Sequence, residues 1–277
     1  MLRHPAVAGQ FYKGTSEALR KQVREFIVPD AEKTPALGIL APHAGLIYSG
    51  SVAGAVYSRI ILPDTFVLIG PNHTGLGEAV SLMSKGQWET PLGKAEIDES
   101  LAAAILSKSP RIREDSLAHL REHSLEVQLP FIQYFKQEFK IVPIQMLDTR
   151  LETCLDVGRA VGEAIAECGL RIADCKSEIS KVLIVASSDM SHYEQAATAK
   201  EKDFKAIQRI LKLDAEGLYR TVKDHGITMC GFGPAVAMLV ACNMLGASHA
   251  ELVKYTNSGD VSGDYDQVVG YAGIVVR

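Results

Sequence analysis

Histidines recur in this chain at one kind of place. The segments LGILAPH (37–43), FVLIGPNH (66–73) and KVLIVASSDMSH (181–192) are apolar and strand-like, and each runs into a histidine shortly past its last apolar residue: His43, His73 and His192. Neutral imidazole is the most frequent nitrogen ligand of iron, copper and zinc, and it also moves protons near neutral pH. A single histidine of this kind could be an ordinary loop residue. Histidines delivered repeatedly to equivalent strand ends make a candidate metal or acid/base site, because the carboxyl edge of an open α/β sheet leaves a crevice where ligands bind. His43 and His73 match most closely, each with a proline within two residues before it and a glycine, Gly45 or Gly75, two residues after. The glycines let the backbone turn away while the ring enters the crevice.

Two imidazoles hold a metal weakly, so a third donor is expected from Cys230, Asp189, His192, His123 or Glu122. Cys230 lies in TMCGFGPAVAML (228–239), where Gly233 and Pro234 mark a helix start. A thiol just before a helix N-terminus feels positive backbone potential, which is expected to lower its pKa and favour a metal-binding or nucleophilic thiolate. Asp189 and His192 in SSDMSH form a carboxylate and imidazole pair suited to proton transfer, or else Ser187, Ser188 and Asp189 cap a following helix. Glu122 and His123 in EHSLEVQ belong to the site, or to an N-terminal helix turn with its favoured acid. Cys154, Cys168 and Cys242 fall inside helical patterns and read as small core residues. Cys175 lies in a polar stretch and carries no assignment.

The elements that would position these residues alternate between strand and helix. A helix over 16–27, capped by Ser16, precedes the strand at 37–41, and the segment after His43 is a helix whose small residues Gly50, Ala53 and Gly54 are expected to press on the sheet. Short strands in 78–97, with turns at Lys85-Gly86 and 91–93, predict antiparallel pairing at one edge. Beyond them come a helix at 99–107, a helical stretch around Pro130, a strand at 140–147, a helix at 151–168 and the strand at 182–186. Helices at 197–211 and 215–225, an apolar helix after Pro234 and strands at 251–256 and 268–276 complete the chain. Without a Pro/Ser-rich linker or a repeat of fixed period, the reading is one continuous α/β domain, 1–277, with a mixed, largely parallel central sheet flanked by helices.

Bulk properties narrow the function classes. With 277 residues, 47% of them hydrophobic, 22% charged and a formal net charge of −4, the chain can bury a sizeable core and lacks the basic clusters that neutralise phosphates. Nucleic acid is therefore not an expected partner. No apolar run approaches the ~20 residues that span a bilayer, and MLRHPAVAGQFY lacks a signal peptide's apolar centre, so no membrane association and a cytoplasmic location are expected. The five cysteines are scattered without a C-x-x-C, which speaks against a disulfide framework or a structural zinc knot.

Taken in order, VAGQFY (7–12), APHAGLIYSG (41–50), IGPNHTG (69–75), ETPLG (89–93), EHSLEVQLPF (122–131), VPIQM (142–146), SSDMSHY (187–193), CGFGP (230–234) and GYAGIVV (270–276) resemble the Memo family across nearly the whole chain. The resemblance implies a fold related to class III extradiol ring-cleaving dioxygenases, which use non-haem iron. It also implies kinship with the Memo component of bacterial and archaeal systems, known as AmmeMemoRadiSam, that contain an AMMECR-type protein and a radical SAM enzyme, both possible partners. By that resemblance His43 and His73 match the iron-binding histidines, and Cys230 stands at the third ligand position, where the dioxygenases have a glutamate. His192 matches their acid/base histidine, His123 a second histidine near the substrate, and Asp189 a site residue of the Memo pattern.

A soft thiolate beside two imidazoles suits copper(I) and tolerates iron or zinc, so ring cleavage is not simply inherited. The leading expectation is an iron- or copper-dependent oxidoreductase acting on an unidentified small molecule. The alternative is a non-catalytic metal-binding or peptide- and protein-binding adaptor; the human relative is described as a signalling adaptor and metal-binding redox protein. A zinc hydrolase is a weaker third reading, since no H-E-x-x-H motif is present.

Overall fold

The computed structural model describes residues 1–169 and 181–277. Its framework is one twelve-stranded sheet. The strands in chain order are β1 (Leu2–Arg3), β2 (Gly38–Ala41), β3 (Thr65–Pro71), β4 (Val80–Leu82), β5 (Gln87–Thr90), β6 (Gly93–Ile97), β7 (Arg113–Glu114), β8 (Lys140–Met146), β9 (Val182–Ser187), β10 (His192–Glu194), β11 (Ala250–Asn257) and β12 (Val268–Val276). The centre runs β6-β8-β3-β9-β2 with every pairing parallel. Strands β2, β3 and β9 are buried at every residue, which is why they read as continuous apolar runs rather than alternating ones. Antiparallel strands close the edges: β12 and β11 beyond β2, the β5-β6 hairpin beyond β8, and β4 on β8. The sheet is mixed and largely parallel, as the strand pattern predicts.

Helices cover both faces. They are α1 (Ser16–Phe26), α2 (Leu46–Ser58), α3 (Glu99–Lys108), α4 (Leu129–Phe135), α5 (Leu151–Glu167), α6 (Ala196–Leu211), α7 (Ala215–Asp224), α8 (Phe232–Met244) and the single turn α9 (Gly259–Ser262). Alternation along the strands assigns the faces. A Cβ at Gly38 would lie 2.7 Å from Cys242 Sγ of α8, whereas one at Gly273 would meet Val56 of α2 at 2.5 Å. Helix α8 is nearly all apolar because it packs on the sheet from one side and receives α5 on the other. Gly158 makes that second contact possible, since a Cβ there would stand 2.5 Å from Ala237 O.

Several expectations change in detail. Gly50 and Gly54 of α2 receive α1 instead of the sheet: a Cβ at Gly54 would lie 2.3 Å from Phe26 O, at the end of α1. Thr15 rather than Ser16 occupies the N-cap position of α1. The stretch around Pro130 is a 3-10 turn, Glu126–Gln128, running into α4 with the proline in its first turn. Cys154 and Cys242 are core residues, but Cys168 is exposed because it sits past the end of α5; Cys175 lies outside the described residues. Among the described residues no helix is long and apolar enough to cross a membrane.

Candidate metal centre

The order β3-β9-β2 brings three carboxyl ends side by side. Two residues past β2 stands His43, two past β3 stands His73, and β9 ends at Ser187 with Asp189 just beyond. Above this edge lies an irregular loop, 120–125, whose Ser124 Oγ donates to Pro71 O at 2.9 Å. The loop places His123 over the two strand-end histidines. One ring nitrogen from each of His43, His73 and His123 lies within 4.8 Å of the other two, a spacing at which a single ion could bridge them. The rings of His73 and His123 stack at 4.8 Å, and His43 stands edge-on to both.

Hydrogen bonds settle which nitrogens of His43 and His73 carry the proton. Ser187 Oγ spends its one proton on Ser124 O at 2.6 Å and accepts from Gln128 Nε2 at 2.9 Å, so His43 Nδ1, 2.9 Å away, is the donor to it. That tautomer leaves Nε2 of His43 as a bare lone pair. Glu122 does the same for His73: it is fully buried, its Oε1 lies 2.9 Å from His73 Nδ1, and a carboxylate can only accept. The same oxygen accepts from the His123 backbone N–H at 2.8 Å and stands 3.2 Å from His123 Nδ1 as a charge contact. Carboxylate or hydroxyl partners behind imidazoles, with lone pairs converging in front, are the arrangement of metal-ligating histidines.

The electrostatics agree with that use. Burial and then the charges of His123, His73 and His192 drive the His43 pKa well below its ordinary value, and burial lowers that of His123. Neutral rings are what a metal requires. Glu122 is pushed up by burial, but hydrogen bonds from His73 and from the Ser124 N–H, with the charges of His73 and His123, outweigh it and hold the pKa at about 2. The carboxylate is therefore charged, and it supplies negative potential behind two ligands. The donor set fits a transition-metal ion: three imidazoles suit iron, copper or zinc.

Cys230 lies against the cluster, with Sγ 3.3 Å from His43 Nε2 and accepting from Asp189 N at 3.3 Å. The expected lowering of its pKa is reversed. Burial, then the carboxyl of Asp189, push the thiol up, because desolvation of a thiolate outweighs the potential of the helix start. Gly231 keeps this approach close: a Cβ there would lie 2.3 Å from Ser187 O.

Asp189 caps no helix. Its Oδ1 accepts from His43 N at 2.8 Å and from Ala44 N at 3.3 Å, and burial raises its pKa. His192 Nδ1 lies 2.9 Å from Thr228 O, so Nδ1 carries the proton and Nε2 is free to accept one. Glu122 is not in a helix turn; it is the shared partner of two site histidines. Ser187 and Gln128, which orient His43, are site residues that sequence reasoning misses. Ser187 has a signal in its place at a strand end beside Asp189, and Gln128 has none.

Phe11 closes one side of the cluster, 4.7 Å from the His123 ring, and a cleft of about 330 Å³ opens beside it between Gln10, Gly45, Ile47 and Tyr48. Larger clefts, of about 700 and 870 Å³, lie at the opposite edge around Asp98 and Lys140, away from the histidines.

A largely parallel α/β sheet with a histidine cluster at its carboxyl edge is thus the class to which fold and site assign the chain. Sequence comparison gives the family. Residues 3–275 match the model of the Memo-like protein family. MEMO1 family proteins of Methanopyrus kandleri (44% identical, 100% of this chain and 99% of the relative), Methanosarcina acetivorans (46%, 100% and 99%) and Aquifex aeolicus (46%, 99% and 98%) align end to end. The chain belongs to the Memo family. A solved uncharacterized protein of Escherichia coli K12 shares the fold, with a TM-score of 0.55 at 12% identity over 86% of this chain and 98% of that one.

Proposed function

We propose that this chain is a metal-dependent oxidoreductase of dioxygenase-like type, related to the class III extradiol enzymes, that acts on a small molecule at the carboxyl edge of its sheet. The observation that carries the reading is the gathering of three imidazoles, with one nitrogen of each within 4.8 Å of the other two. His43, His73 and His123 hold the ion, and Cys230 stands beside His43 as a further donor. Iron or copper is the proposed metal, and zinc is compatible with the same donors. Bound there, iron or copper would supply Lewis-acid polarisation and one-electron redox capacity, and zinc only the former.

The chain's own groups supply the rest. His192 Nε2, with its proton-bearing Nδ1 tied to Thr228 O, takes a proton from a substrate hydroxyl held in the crevice. Asp189, anchored on the His43 and Ala44 amides, is the second group that moves protons beside it. Phe11 shields the His123 side from water. AMMECR-type and radical SAM proteins are the proposed partners, and the cytoplasm the proposed location.

The test is oxygen uptake after anaerobic loading with Fe(II) or Cu(I), with catechols and other small phenols as substrates. Turnover that falls in His192→Ala while metal content stays at the wild-type level supports the reading. Full metal loading without turnover of any candidate would sink it in favour of a binding crevice.

A further inference from the structure

We infer that Arg3, far from the site in sequence, is a positioning residue for the metal centre and acts through the loop that carries Glu122 and His123. The inference rests on the metal reading above. Arg3 is completely buried. Its Nε donates to His119 O at 2.7 Å, its Nη2 to Glu122 O at 2.6 Å and its Nη1 to Glu126 Oε2 at 2.6 Å. One planar guanidinium thus grips the arch 119–126 at three points, while its face lies 4.2 Å from the Trp88 ring centroid. Glu126 is tied down in turn by Ala6 N, Val7 N and the Tyr12 hydroxyl. The N-terminal segment and the arch therefore form one polar unit.

The reason to assign a positional role is energetic. A fully buried ion pair is an inefficient stabiliser, because desolvation consumes most of the Coulombic gain and apolar residues of similar size stabilise at least as well. What the pair supplies is geometry. The Glu122 carbonyl is fixed by Arg3, so the Glu122 carboxylate is delivered to His73 and His123 from a defined backbone position, and the His123 ring is set by the next residue along. His43 has no direct bond to this unit; it depends on Ser187 and Asp189 and reaches the arch only at one remove, through the Ser187 hydroxyl on Ser124 O. A lysine cannot reproduce the grip, since it lacks the rigid fork that reaches several acceptors at once.

Co(II) titration of the full-length protein, read by visible absorption, tests this. Arg3→Lys is expected to weaken Co(II) binding by about 10–100-fold, the range for loss of an outer support of a metal ligand, and to shift the ligand-field bands. In a His123→Ala background the same change is expected to cost far less, because the ligand it positions is gone. Tyr12→Phe, which removes one donor to Glu126 and keeps the ion pair, is expected to weaken binding in the same direction by a few-fold, and it decides the matter where Arg3→Lys does not fold. Wild-type affinity and spectrum in folded Arg3→Lys, or a loss fully additive with His123→Ala, would overturn the inference and leave the metal centre standing. Failure of the wild type to bind Co(II) would overturn both.

Discussion

The two halves of the histidine cluster are held by different chemistry. His43 is almost fully buried and leans on a chain of neutral groups, with Ser187 behind its ring and Gln128 and Ser124 behind Ser187. His73 and His123 are more exposed and share one buried carboxylate, Glu122. The first half stands on the ends of parallel strands and is tied to the neighbouring loop and 3-10 turn by uncharged hydrogen bonds alone. The second half has a strand end on one side only and a loop on the other, and it is kept in place by charge. A rigid half and an electrostatically held half should therefore respond differently to mutation and to pH.

The largest effect is expected at the rigid half. His43→Ala removes a ligand and is expected to weaken Fe(II) or Zn(II) binding by more than the roughly 100-fold ceiling for outer-shell changes, as measured by calorimetric titration. Binding within ten-fold of wild type would show that the cluster does not depend on its strand-end histidine.

At the charged half, pH is the sharper probe. The Glu122 carboxyl falls from an ordinary 4.5 to about 2 in the fold. The unfolded state thus binds more protons between those values, and the contribution to stability is full above about 4.5 and lost as pH falls toward about 2. Relative to Glu122→Gln, the metal-free wild type is expected to lose on the order of 3 kcal/mol across that window in urea unfolding. Parallel acid profiles for the two proteins would remove the charge from the account.

Glu122→Gln is also expected to weaken metal binding by about 10–100-fold. An amide oxygen can keep the contacts at Oε1, but the group lacks the negative charge, and its NH2 cannot accept from the His73 backbone N–H as Glu122 Oε2 does. Smallest is Ser187→Ala, which removes one neutral acceptor behind His43 and is expected to cost about 1 kcal/mol, a few-fold in affinity. An effect of Ser187→Ala as large as that of Glu122→Gln would erase the distinction between the halves.

The same division separates the residues legible in the sequence from those that are not. His43, His73 and Asp189 can be placed because a buried parallel strand announces itself as an apolar run, and the residues just past its end must lie at the sheet edge; His192 instead opens the separate strand β10, paired with β12. His123 can be suspected but not seated, since its position depends on the Ser124 bond to Pro71, 53 residues away, and on the Arg3 grip on Glu122, 119 residues away. No local pattern encodes such contacts. Cys230 is found by its place before α8, yet its titration is misjudged because helix starts are visible in sequence and burial beside Asp189 is not. The stripe of α2 is misassigned for a similar reason: Gly50 and Gly54 announce a close approach, but not that the visitor is Phe26 of α1.

The central claim is that His43, His73 and His123 form a metal centre with Cys230 at its side. Metal content by mass spectrometry, on protein prepared without oxygen, tests it most directly when wild type is compared with His43→Ala, His123→Ala and Cys230→Ser. Near-stoichiometric iron or copper is expected in the wild type, with loss in both histidine variants and a smaller decrease in Cys230→Ser. Retention of metal in His123→Ala with complete loss in Cys230→Ser would contradict the three-histidine centre, and absence of metal from the wild type even after reconstitution would contradict a metal centre altogether.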